Sequence, residues 1–248
     1  MNIVKLNVAI FSSLLFLLFG VVDTTAGGDY ADGKLGKALI LDGSSHTVKI
    51  PHYAGLKPDK AITVSAWIKP ERVGKGGWAW QEIYRKEDGN ARALMAIGEY
   101  EKKHSLCFGL GIGGKYAEHG VPLEPAKLLD GKWHLVSVTF DGQAIKFYAD
   151  GQEIGASTKA TGSIDTQGEA PAYIGSDNAT REFFKGGIDD VRLYNRALST
   201  GEIKTMALTD GKTAVDGLVG WWKLDGDLKN SAANTATGSV AQFRGVDR

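Results

Sequence analysis

Gly186-Gly187-Ile188-Asp189-Asp190-Val191-Arg192-Leu193-Tyr194-Asn195-Arg196-Ala197-Leu198-Ser199 joins a strand to the start of a helix within one short run. Ile188, Val191 and Leu193 with Tyr194 give a strand-like apolar rhythm. Ser199 stands where a helix N-cap is expected, and Glu202 three residues later completes a Ser-x-x-Glu capping box. The helix that follows, Thr200 to Leu208, is the only helical candidate and is expected to make one or two turns. Taken with the motifs below, this run points to an antiparallel sandwich and away from an enzyme with a familiar active site.

Working outward, the body of the chain reads as short strands punctuated by Gly, Asp and Pro. Lys37 to Leu41 ends at Asp42-Gly43, and Thr47 to Ile50 ends at Pro51. Ala61 to Ile68 alternates with period two, which puts Ile62, Val64, Ala66 and Ile68 on one face, the expected core face. Leu94 to Ile97 and Leu106 to Leu110 read as the next pair. Asp130-Gly131, Asp141-Gly142 and Asp150-Gly151 then separate apolar runs, and Asp-Gly between alternating residues is a strong hairpin signal, so a meander is expected there. Many short strands with no helix of ordinary length argue for an all-β, two-sheet sandwich.

The 248 residues carry 29 Lys and Arg against 29 Asp and Glu, so net charge gives no reason to expect a nucleic-acid or membrane-surface partner. At the start, Lys5, the apolar run Val8 to Val22 and the small residues Thr24-Thr25-Ala26 read as a secretory signal peptide over residues 1–26. A retained membrane anchor is the competing reading, but the run is short for a spanning helix. Secretion or exposure on the cell envelope, with no membrane contact after cleavage, is therefore the expectation. The one cysteine, Cys107, cannot form an internal disulfide, and its flanks Leu106 and Phe108 make it a buried strand residue. Asn178-Ala179-Thr180 matches a glycosylation sequon, which matters only in a eukaryotic secretory pathway.

Six motifs together resemble the laminin-G-like jelly roll of the concanavalin A-like lectin and glucanase superfamily. They are Gly36 to Gly43, Ile62 to Pro70, Asp130 to His134, Phe147 to Gly151, Ala172 to Gly175, and the block around Ile188-Asp189-Asp190. The resemblance runs from about residue 33 to 205 and implies a two-sheet antiparallel jelly roll over residues 27–214, with one short C-terminal helical turn. It specifies a fold far more tightly than an activity.

The segment 215–248 departs from that pattern. Gly217 to Asp227 resembles the opening strand of such a domain, yet it follows the closing motif. It reads as a second repeat cut short, as a strand that folds back to supply the missing first strand, or as one donated to a neighbouring molecule to give a strand-exchanged oligomer. Fold-back is favoured, because an isolated strand with Trp221 and Trp222 would be a large exposed apolar patch.

Retaining glucanases of the superfamily carry Glu-x-Asp-x-Glu on one strand, which sets the acids on one face. No such run occurs here, and Glu82 with Glu87 and Asp88 reads as a solvated hairpin. His134 has no recognisable nucleophile beside it and is read as a hydrogen-bonded or exposed strand residue. The resemblance implies one Ca²⁺ where the first and last strands meet. Asp189 and Asp225 match those positions and Asp42 is a third candidate, although Asp42 also reads as a strand end and Asp189 as a turn cap or a partner of Arg192. Sugar binding asks for an aromatic platform beside hydrogen-bonding groups. Trp78 and Trp80 with Gln81, Arg85 and Asn90 are the candidates, with core packing of the two indoles as the alternative. Ser176 to Glu182 is a second polar loop suited to rim a binding face. The sequence thus predicts a non-catalytic module that binds a carbohydrate or an extracellular protein. A divergent glycoside hydrolase and a structural or adhesive module are the alternatives.

Overall fold

The computed structural model describes residues 29–73, 80–165, 168–209, 216–232 and 241–244. The signal-like segment 1–26 lies outside the described residues. Two antiparallel sheets face each other. The first contains β1 (Asp29–Asp32), β2 (Lys37–Asp42), β13 (Lys185–Tyr194), β4 (Ile62–Pro70), β9 (His134–Phe140), β10 (Ile145–Ala149) and β11 (Gln152–Ser157) in that order, with β14 (Leu218–Trp222) also paired to β13. The second runs β15 (Gln242–Arg244), β3 (Thr47–Ile50), β12 (Ala172–Ile174), β5 (Gln81–Asp88), β6 (Ala91–Tyr100), β7 (Lys103–Ile112) and β8 (Lys115–Pro122).

Period-two alternation builds the core. Ile62, Val64, Ala66 and Ile68 of β4 meet Met95 and Ile97 of β6 and Leu106, Phe108 and Leu110 of β7 in one cluster between the sheets. The intervening residues of β4 face outward. There Trp67 joins Leu135, Tyr148, Tyr194 and Leu218 in a second apolar layer, covered by Ile203 and Met206 of α2 (Thr200–Leu208). That helix starts with the Ser199–Glu202 capping box read from the sequence. On the far side of the second sheet a smaller cluster holds Trp80, Leu94, Ala96 and the fully buried Cys107.

The strands β9, β10 and β11 form the expected meander. At its second turn Asp150 and Gly151 both have positive φ, 49° and 79°. The Asp130-Gly131 turn is different. It follows α1 (Pro125–Leu128) and carries the chain from β8 in one sheet to β9 in the other, so it is a crossover and not a hairpin. The local Asp-Gly signal cannot distinguish the two, because a change of sheet is decided by what lies on either side.

One edge of β13 is shared by two strands. Lys185–Ile188 pair with β2, and Val191–Tyr194 pair with β14, whose Trp222 is fully buried in the main core. Asp189 and Asp190 occupy the gap where neither neighbour reaches, and the register against β4 shifts there as well.

Candidate functional site

The outer face of the second sheet carries a cleft of about 360 Å³, lined by Trp80, Arg92, Tyr100, Glu118, Arg181 and Glu182 among others. Alternation places these groups there. On β6, Arg92 and Tyr100 fall on the same side as Leu94 and Ala96, and on β8 the side chains of Tyr116 and Glu118 do likewise. The Arg92 guanidinium lies over the Tyr116 ring at 4.3 Å, and the Tyr100 hydroxyl donates to the Glu118 carbonyl at 3.2 Å.

Beneath the cleft lies an ion-pair network. Arg85 is 3% exposed and reaches Glu82 at 2.7 Å, Asp177 at 3.1 Å and Glu182 at 3.6 Å, and it also pairs with Glu87. Glu87 in turn holds Arg92, and Asp177 holds Arg181 at 2.6 Å. Burial, countered by Arg85 and helped by the nearby Glu182 charge, pushes the Glu82 carboxyl well above its usual range, and the Glu82 amide donates to the Glu182 carbonyl at 3.0 Å. Burial raises Glu182 as well. The raised carboxyls ease the cost of several acids packed around one guanidinium. Glu82 is fully buried, so the solvated hairpin read from the sequence is corrected at that residue. Its partners come from the 177–182 loop, far along the chain and invisible in the local pattern.

Of the sugar-site candidates, Trp80 and Arg85 come together at this cleft. Trp80 is only 7% exposed, with its indole N–H donated to the Glu99 carbonyl at 3.1 Å, so it supports the cleft wall and does not form an open platform. Gln81 is corrected to a structural role: it is fully buried, accepting from the Lys185 amide at 2.9 Å and donating to the Arg72 carbonyl. Asn90 sits at the β5–β6 turn and donates to the Gly114 carbonyl at 3.0 Å, which ties two turns together outside the cleft lining. Trp78 lies outside the described residues. The cleft groups missed by the sequence reading are Arg92, Tyr100 and Glu118. Their signal was the spacing by twos that puts them on one face with Leu94 and Ala96.

At the junction in β13, Asp189 is fully buried and accepts from the Leu35 amide at 2.8 Å through Oδ2, while Oδ1 has no hydrogen-bond partner. Asp225 accepts from the Lys37 amide at 2.7 Å through Oδ1. One loop, residues 33–37, therefore binds both acids. Burial, then the neighbouring charges of Asp190 and Asp225, push Asp189 up to about 7. Asp190 pairs with Arg192 at 2.8 Å and accepts from the Trp221 indole. Asp42 does not join them. Its carboxylate is filled by the Ser44, Ser45 and His46 amides and both serine hydroxyls, and these bonds, against the cost of burial, hold it far below the carboxylate range. It is a turn cap. Among the described residues no group of three or more His, Cys, Asp or Glu side chains is placed to hold a metal ion.

His134 bridges two turns, with Nδ1 at 2.9 Å from Asp150 and Nε2 at 3.0 Å from Asp130. The Asp150 hydrogen bond, offset in part by burial and reinforced by Asp130, raises its pKa.

Known proteins share this architecture. A curated relative, adhesion G-protein coupled receptor V1 of Danio rerio, is 24% identical over 163 residues, 64% of this chain but only 2% of that receptor's length. Domain 4 of AbnA, an extracellular arabinanase of Geobacillus stearothermophilus, solved with arabinotriose, is 25% identical with a TM-score of 0.54, covering 73% of this chain and 81% of that one. A Bacteroides ovatus protein described as carbohydrate-binding is 20% identical with a TM-score of 0.59, covering 87% of this chain and 61% of that one. A family profile, the laminin-G type of the concanavalin A-like lectin/glucanase superfamily, matches residues 42–204. That match spans more than half of the sequence, and the chain belongs to the concanavalin A-like lectin/glucanase superfamily as a laminin-G-like member.

Proposed function

We propose that this chain is a secreted, non-catalytic module that binds a carbohydrate in the cleft over the outer face of the second sheet. The observation that carries the reading is the convergence there of Tyr100, Arg92, Glu118 and Arg181 on one open face of about 360 Å³, a concave site with a few fixed polar groups. The similarity to an arabinanase domain solved with arabinotriose supports the same ligand class. An extracellular-protein ligand is the second form of the reading, in keeping with the adhesion-receptor relative.

Two observations weigh against hydrolysis. The acids beneath the cleft, Glu82, Glu87 and Asp177, are ion-paired to Arg85 and are not set as a free acid and nucleophile across a glycosidic bond. Glu82 is also fully buried, out of reach of a glycosidic oxygen.

Calcium belongs to the proposal at Asp189 and Asp225. Each keeps one carboxylate oxygen beyond the one its amide partner uses, and a hard cation suits such oxygen donors. Bound there, it would neutralise the acids and fasten the 33–37 loop to β13 and the tail. A glycan array with and without Ca²⁺, repeated with Tyr100→Ala, tests the module. Retention of a glycan that Tyr100→Ala weakens is expected, and no retention in either condition sinks the carbohydrate reading.

A further inference from the structure

The first sheet has a hollow of its own. Across β2, β13 and β4, Ile40, Gly187 and Lys69 are direct cross-strand neighbours on the outer face, and Gly187 contributes no side chain between the other two. The Trp133 ring fills part of that gap. A Cβ at position 187 would stand 2.5 Å from Trp133 Cη2, so glycine is what allows the indole to lie on the sheet. A cleft of about 320 Å³ remains beside it, lined by Ile40, Pro70, Leu129 and Trp133, with Asp32 and Lys69 at the rim.

Three features make this cleft unlike ordinary surface. Trp133 is half-buried, in contrast to Trp80, so part of its ring is open. Leu129 is 39% exposed, one of two large apolar side chains so exposed among the described residues, and it lies next to that ring. The exposed Asp32 and Lys69 have no side-chain hydrogen bond or ion pair among the described residues, whereas the third rim charge, Glu71, already faces Lys185 at 3.5 Å. An apolar floor beside one uncommitted acceptor and one uncommitted donor of opposite charge suits a neutral sugar. Its C–H face stacks on the indole, and its hydroxyls donate to Asp32 and accept from Lys69.

We propose that this Trp133 cleft is a second carbohydrate-binding site, on the sheet opposite the first, which takes one unit of a neutral oligosaccharide. It is independent of the first cleft, and with both filled the sandwich holds sugar on its two outer faces.

The test follows the Trp133 indole N–H by NMR in the full chain, identified as the signal missing from Trp133→Leu, during titration with arabinotriose, cellotetraose and mannotriose. A saturable shift with at least one of these is expected. Lys69→Ala should weaken it tenfold or more, consistent with loss of a charge-assisted hydrogen bond. Tyr100→Ala, in the other cleft, should leave it unchanged. An unmoved Trp133 signal with all three sugars, an unaltered midpoint in Lys69→Ala, or loss of the shift in Tyr100→Ala overturns the proposal.

Discussion

The Glu82 amide donates to the Glu182 carbonyl at 3.0 Å beneath the first cleft, and burial holds both residues' carboxyls above their usual range. The folded pKa of Glu82 lies above its unfolded value. Its stabilisation is therefore complete below the unfolded carboxyl range, about 4.3, and is lost as pH rises through the folded value. Glu82→Gln removes the titration. Denaturant midpoints measured from pH 5 to 9 should fall more steeply in wild type than in Glu82→Gln. Equal slopes would show that Glu82 does not titrate with a raised pKa in the folded chain.

His134 carries the same sign in a different pH range. Held between Asp150 and Asp130, its folded pKa is raised, so the contribution is whole below about 6.5 and disappears as pH climbs through the raised value. His134→Gln should lower stability at pH 5.5 and have little effect at pH 9, read by thermal melting. A loss of the same size at both pH values rules out a charged bridge.

Adjacent tryptophans should behave differently. Trp222 is fully buried in the core, and Trp222→Ala should cost about 3–5 kcal/mol by the measure of other large-to-small aromatic changes. Trp221 lies half-buried between the Arg192 and Lys223 cations, each 4.6 Å from its ring, and Trp221→Ala should cost about 1–2 kcal/mol. Urea titrations of both variants decide it. Comparable losses would mean that β14 is not seated with Trp222 inward.

Calcium at Asp189 and Asp225 makes a simple thermal prediction. Ca²⁺ in excess should raise Tm and EDTA should reverse the rise, with about 2.7 kcal/mol expected at a hundredfold excess over Kd. Asp225→Asn should abolish the response. A wild-type melt indifferent to both additions removes calcium from the proposal.

Much of the architecture was legible because burial follows local alternation. The core face of β4 and the Ser199 cap could be read from a few adjacent residues each. The strand β5 was harder to read. Its Glu82, Arg85 and Lys86 are buried, Arg85 by partners in the 177–182 loop and Lys86 by the Gly168 carbonyl, so a polar run resembled a turn. The first cleft was half visible. Arg85 and the Ser176 to Glu182 loop stood out by composition, but Arg92, Tyr100 and Glu118 required knowing which face of β6 and β8 was outward. Trp133 lay unremarked inside the Asp130 to His134 motif, because its place on the sheet depends on Gly187, which only the pairing of distant strands brings beneath it.

The division of β13's edge also governs when the chain can fold. Among the described strands β2 stands early in the chain and β13 and β14 late, and the half of β13 from Val191 to Tyr194 has no neighbour on that edge without Leu218–Trp222. β3 likewise waits for Gln242–Arg244 to cover its flank. Because β2 with β13 and β3 with β15 join segments far apart in sequence, completing the two sheets needs long loop closures, which slow folding.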